Sequence, residues 1–179
     1  MPILGITASS KLGVTGAFES IATINLSGVN TGSFTSIPAT YKSLQLRFIT
    51  TNNVSSYMRF NGASTSGDYN GHYLWGDGSS VYASNASALT STDKIYPGLG
   101  PQAATNPYVG IIDIVDYSST TKNKTVRNFV GQDNNGSGRI FITSGLWLST
   151  SAISTITFFS AGTNFASGSS IALYGIKGA

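Results

Sequence analysis

Tyr108-Val109-Gly110-Ile111-Ile112-Asp113-Ile114-Val115-Asp116-Tyr117 reads as the strongest strand in the chain. It is crowded with β-branched and aromatic residues, which suit a pleated, packed surface. Successive side chains of a strand point to opposite faces. Ile112, Ile114 and, at the end, Asp116 therefore share one face, and Ile111, Asp113 and Val115 the other. Apolar residues on both faces predict a central strand.

Outward from this segment the same signal recurs. Upstream, Ile21 to Leu26 alternates weakly and Leu44 to Ile49 clearly. Met58 to Phe60 resumes the pattern after turn-like residues at Asn52 and Asn53. Downstream, Val126 to Gly131, Gly138 to Thr143, Ile153 to Phe159 and Ile171 to Ile176 read as further strands. Asp133-Asn134-Asn135-Gly136 has the chemistry of a hairpin turn, because Asn and Gly tolerate positive φ. Helix signals are nearly absent, and the spacing predicts roughly eight to ten strands. The expected fold is all-β, an antiparallel β-sandwich of jelly-roll type. Residues 1–16 lack sustained alternation and are expected to form a short N-terminal arm, with one sandwich domain over 17–179. Ser79 to Asn106, rich in Ser, Ala, Asn and Pro, reads as a long surface loop.

The chain has 179 residues, of which 40% are hydrophobic and only 9% charged, against roughly 25% charged in ordinary soluble domains. Solubility must rest on hydroxyls and amides. Such a surface suits a particle subunit, where high charge would make neighbouring copies repel, and it also suits an extracellular binding module. The formal charge of +3 is carried by scattered basic residues; only Lys122, Lys124 and Arg127 lie close together. Nucleic-acid binding is not expected, since phosphate tracking needs several cations on one face. With no cysteine, disulfides, thiolate catalysis and Cys-based zinc sites drop out. No apolar run approaches the roughly 18 residues of a membrane span, so membrane insertion is not expected. Met1 to Gly5 has neither a basic n-region nor a long h-region, so no secretion signal is expected.

Catalysis has few candidates. His72 is the only histidine, and there is no G-x-S-x-G elbow to present a serine. Asp113 and Asp116 are the nearest carboxylate pair, but three residues apart on a strand they point to opposite faces. An ion pair between one of them and Arg127 or Lys124 is the simpler reading. Asp133-x-Asn135-x-Ser137 begins like a calcium loop but has Ser144 where the bidentate Glu should stand, and reads as a turn. No enzyme activity, metal or cofactor is expected.

Aromatic residues offer a sharper possibility. Tyr69, Asn70, His72, Tyr73, Trp75 and Asp77 mix flat rings with hydrogen-bonding groups and form a candidate surface for a sugar. Core packing of alternate members competes with this, because buried aromatics dominate core energetics. Trp147, within Ser144 to Leu148, reads as core or interface.

Met1 to Ile6, Phe18 to Ala22, Phe34 to Pro38, Leu44 to Arg47, Arg59 to Gly62, Ile112 to Tyr117, Lys124 to Arg127, Ser144 to Trp147 and Ala172 to Lys177 form a distinctive combination of segments. Together they resemble a family of short virion structural proteins of tailed phages, frequent in aquatic phages including cyanophages and often labelled tail-fibre proteins. The resemblance covers nearly the whole chain and is least specific at Ser79 to Asn106. It implies location in a virion and supplies no catalytic residues. Two roles follow as expectations: attachment to a host glycan or envelope receptor, or decoration of the capsid. Partners would be other virion proteins and further copies of the chain, with a trimer expected from the symmetric positions of a particle. Pro2, Ile3, Leu4 and Ile6 of the arm are candidates for docking into a neighbour by strand addition.

Overall fold

A computed structural model describes residues 16–51, 55–84, 92–98 and 106–178. Residues 1–15 of the expected arm, with Pro2, Ile3, Leu4 and Ile6, lie outside the described residues, as do much of the expected loop at 85–91 and 99–105.

The described residues form eleven strands and no helix. They are β1 (Phe18–Asn25), β2 (Thr31–Phe34), β3 (Ser43–Thr50), β4 (Ser56–Phe60), β5 (Tyr69–Gly76) and β6 (Val81–Ser84), followed by β7 (Tyr108–Val115), β8 (Lys124–Asp133), β9 (Gly138–Trp147), β10 (Ile156–Ser160) and β11 (Ser170–Ile176). β1 pairs with β11, β2 with β10 and β3 with β7, all antiparallel, so the chain is laid out as a ribbon doubled back on itself. β11 also pairs with β3, and β10 with β4. Folding that ribbon over gives two walls, β1-β11-β3-β7 and β2-β10-β4. This is the wiring of a jelly roll, which manages most of its strand edges by pairing early strands with late ones. On the outer side of β4, an isolated bridge joins Met58 to Ile95.

The first wall does not stop at β7. β8, β9, β5 and β6 continue it to eight strands, while the second wall has three. The expected antiparallel β-sandwich is therefore present, with walls of unequal width.

Side-chain alternation explains the sandwich. β8 alternates buried and outward residues along its length, and β3, β10 and β11 do so nearly as strictly. The inward set of the wide wall includes Leu44, Leu46, Phe48, Ile112, Ile114, Val126, Val130, Phe141, Ile171 and Leu173. Phe34, Met58, Phe60, Ile156 and Phe158 face it from the narrow wall. Phe158 is the meeting point, with its ring centroid 5.2 Å from Phe48 and 5.8 Å from Phe165. Burying side chains of this size contributes about 1.5–3 kcal/mol each.

The turns follow local chemistry. Between β8 and β9, Asn135 and Gly136 both adopt positive φ, at 55° and 100°, and the Asn134 N–H bonds the Ser137 carbonyl at 2.7 Å. The Asp133 carboxylate accepts the Asn135 N–H at 2.8 Å, so this residue serves the hairpin as its sequence suggests. β7 ends at Val115 because Asp116 takes a left-handed φ of 52°, carrying Asp116 and Tyr117 out of the expected strand. Tyr117 folds inward; its hydroxyl accepts the Tyr41 N–H at 3.1 Å and donates to the Pro38 carbonyl.

Some boundaries differ from expectation. β9 continues to Trp147 and β10 begins at Ile156 rather than 153. β2 and β6 are additional, and β6 lies within the expected 79–106 loop, where residues 92 and 95 also make bridges. β2 and β6 have four residues each, too short for period-two alternation to show.

Replacing Tyr117 by Phe leaves the Tyr41 N–H and the Pro38 carbonyl without the hydroxyl that joins them. The expected loss is about 1–3 kcal/mol of folding free energy, read from denaturant midpoints at unchanged slope.

Candidate binding surface

The six residues singled out as a possible sugar site do not converge. They fall on β5 and the turn after it, and the strand's alternation divides them. Tyr69, Tyr73 and Trp75 point to the inner side of the wide wall, opposite Trp147, Thr143 and Phe141 of β9. Asn70 and His72 point to the outer side, opposite Leu146 and Ser144.

Tyr69 is a core residue rather than a surface one. It is fully buried, and its hydroxyl accepts the Phe60 N–H at 2.9 Å. Burial pushes its phenol up to about 12. Trp75 is half-buried and already engaged: it stacks on Tyr82 at 4.1 Å and 13°, and the Arg139 guanidinium lies 4.7 Å from its ring centroid. Asp77 organises its own turn. Its Oδ1 accepts the N–H groups of Ser79 at 2.9 Å and Ser80 at 2.8 Å, and these bonds, Ser80 first, hold its carboxyl below the usual range. Trp147, read as core or interface, is buried against Phe60 at 5.6 Å.

The ionisable residues are largely occupied as well. Arg127 donates to Asp113 at 2.9 Å and Lys122 to Asp116 at 3.0 Å. Lys124 pairs with neither carboxylate. Its side chain is buried, and Nζ donates to the carbonyls of Lys122, Thr150 and Ser149 at 2.5, 3.2 and 3.4 Å. Burial lowers its pKa from the ordinary lysine value. Among the described residues no three His, Asp or Glu side chains gather as metal ligands would.

What the structure brings together is the outer side of the wide wall. The registers of β3, β7, β8, β9 and β5 align Ile49, Val109, Gly131, Ile140 and Gly76 in one row across the strands. The next row is Arg47, Ile111, Phe129, Ile142 and Leu74. Phe129 and Ile140 are each 52% exposed, Ile142 50%, and Ile49, Leu74, Val109 and Ile111 are exposed too. A third row, Gln45, Asp113, Arg127, Ser144 and His72, is polar and rims the patch. Singly exposed apolar residues are ordinary, but a contiguous patch with a polar rim marks an interaction surface.

Relief on this face comes from glycine. Gly131 stands between Val109 and Ile140 without a side chain, leaving a hollow of about 350 Å³ lined also by Phe48, Ile111 and Phe129. A second, larger cleft of about 550 Å³ adjoins it at the strand ends and is lined by Asp77, Asp133 and Arg139 together with Val109 and Ile140.

Sequence reading takes the apolar character of both faces of β7 as the sign of a central strand. β7 is central within its sheet, between β3 and β8; no described strand lies over its outer face. The signal that could have found the patch is that outward positions of β8 and β9, Phe129, Ile140 and Ile142, repeat it. No protein-family model matches this chain, and no curated protein sequence does.

Tyr69→Phe removes the acceptor for the Phe60 N–H, and its expected cost is about 1–3 kcal/mol. Because the folded phenol titrates near 12 rather than near 10, its stabilising contribution is full below pH 10 and is lost as pH rises toward 12. Alkaline unfolding curves of the Phe variant should fall less steeply across that window than those of the parent chain.

Proposed function

We propose that this chain is a non-enzymatic structural subunit of a tailed-phage particle, associated with the tail fibre and contributing to attachment at the host surface. The observation that carries a subunit role is the apolar outer face of the wide wall. An exposed patch of seven large apolar residues on a chain with so few charges is what an assembly interface requires. The resemblance of many segments to phage virion proteins supports the particle as its setting. Jelly-roll wiring supports it by analogy, since the architecture recurs in capsid and lectin domains, though a fold by itself does not fix a function.

Capsid decoration is the second reading, favoured by one observation: the described residues make a compact sandwich and no elongated shaft. A decorating subunit would bind the assembled shell and stabilise it by mass action.

Immunogold electron microscopy of intact particles with antibody to the folded chain separates the two. Label at the tail is the expected result. Label spread over the head would transfer the assignment to decoration, and particles that carry the chain in lysate but none in the purified virion would remove both.

A further inference from the structure

We propose that the outer face of the wide wall is a two-fold interface between two copies of this chain, with β8 of each copy lying antiparallel over β8 of the other. The outward residues of β8 include Arg127, Phe129, Gly131 and Asp133, in that order. They present a cation, a large ring, a gap and an anion. The axis lies between the two walls, runs across the strands, and passes midway between Phe129 and Gly131. Turned about it, each of the four lands on its complement. Phe129 of one copy enters the hollow at Gly131 of the other, and Arg127 meets Asp133.

The match extends to the flanking strands. An axis across the strands keeps each strand over its own counterpart and exchanges the two apolar rows. From the registers, Val109 then falls on Ile111, Ile140 on Ile142, and Leu74 on the bare backbone of Gly76. At the β3 side Ile49 falls on Arg47, whose aliphatic stem can cover it. Every large apolar residue of the patch therefore meets an apolar partner, a glycine or that stem. A two-fold interface must be self-complementary in this way, since the same surface serves both copies.

Charge agrees with shape. The Arg127 side chain is 75% exposed even while it donates to Asp113, so its remaining N–H groups are open to a second carboxylate. Asp133 is exposed at the other end of the strand. The two residues cannot reach one another along a single β8, because they are six positions apart on an extended strand, about 20 Å. Opposed copies bring them together twice.

Area is of the right order as well. The five strands of the patch at about 4.8 Å spacing, with about eight residues each of 3.3 Å rise, give a face of roughly 630 Å². Stable complexes bury about 600–1,000 Å² on each partner. Two walls stacked this way would lie about 10 Å apart, as in an ordinary sheet-on-sheet packing. This two-fold pairing differs from the three-fold assembly expected from the sequence, and it does not depend on the phage reading.

Sedimentation analysis of the full chain tests it. The parent chain should show twice the chain mass, dissociating on dilution. Arg127→Glu and Asp133→Lys should each weaken association by about tenfold or more, since like charges then face each other at both ends. Mixing the two variants should restore the pair. The acid introduced in one variant then meets the base introduced in the other, and at the opposite end the unaltered Arg127 meets the unaltered Asp133. Phe129→Lys, at a half-exposed position that the fold does not need, should give a folded monomer by circular dichroism. A parent chain that stays monomeric at all concentrations, a three-chain mass, or a mixture that does not recover the pair would each overturn the proposal.

Discussion

A three-stranded sheet can cover only part of one face of an eight-stranded one, and much of this protein follows from that inequality. The ribbon that doubles β1 on β11, β2 on β10 and β3 on β7 closes a core around Phe48, Phe60 and Phe158. The hairpin β8–β9 and the strands β5 and β6 then widen that wall to eight strands, with Val126, Val130, Phe141, Trp147 and Tyr69 facing the same core. Backbone hydrogen bonds favour such an extension, since each added strand satisfies an edge. The added strands also broaden the outer face of the wall, the side turned away from the core, and no described strand lies upon it. In most antiparallel sheets such a face would be polar. Here two of its rows are apolar, which is why the surface, rather than any pocket of catalytic groups, is where function is sought.

The strand ends are tied to neighbouring loops by side chains that bond loop backbone. Asn61, at a positive φ of 49°, uses its side chain to accept the N–H groups of Ser154 and Thr155 at 2.9 and 3.0 Å and to donate to Ala152 at 2.8 Å. Lys124 ties the start of β8 to the carbonyls of the 149–150 loop. Tyr117 ties the end of β7 to the loop at 38–41. The Lys124 and Tyr117 contacts are partly buried and replace water at backbone groups whose loss of a partner costs about 1–3 kcal/mol apiece. The exposed pairs Arg127–Asp113 and Lys122–Asp116 contribute far less, because solvent screens them. Their side chains are therefore available for contacts outside the chain at small cost to the fold.

Much of the fold was legible in the sequence because period-two alternation survives in strands long enough to show it. Leu44 to Ile49, Val126 to Gly131 and Ile171 to Ile176 all appear as strands, and the Asn135-Gly136 turn is a hairpin because only such residues accept consecutive positive φ cheaply. β2 and β6 escaped for want of length. The candidate site was less legible. Tyr69, Trp75 and Asp77 look like binding groups by type, yet the strand phase turns Tyr69 into the core, Tyr82 and Arg139 occupy Trp75, and the turn at 77–80 claims Asp77. Type is written in the sequence; phase relative to the core depends on pairing partners far along the chain, as where Tyr69 of β5 lies opposite Trp147 of β9. The same limit hid the outer patch, because an apolar residue buried by its own chain and one left outward read alike.

The account turns on the claim that Phe129, Ile140, Ile142 and Leu74 form a working surface that is covered when the protein is assembled. Hydroxyl-radical footprinting measures that directly, comparing the isolated chain at high dilution with the same chain in its assembled form. Oxidation of those four residues should fall sharply on assembly, while Val29 and Leu148, exposed elsewhere on the molecule, keep their reactivity. Equal labelling of Phe129 and Ile142 in both states would contradict the account, because the apolar wall would then face water in the form in which the protein acts.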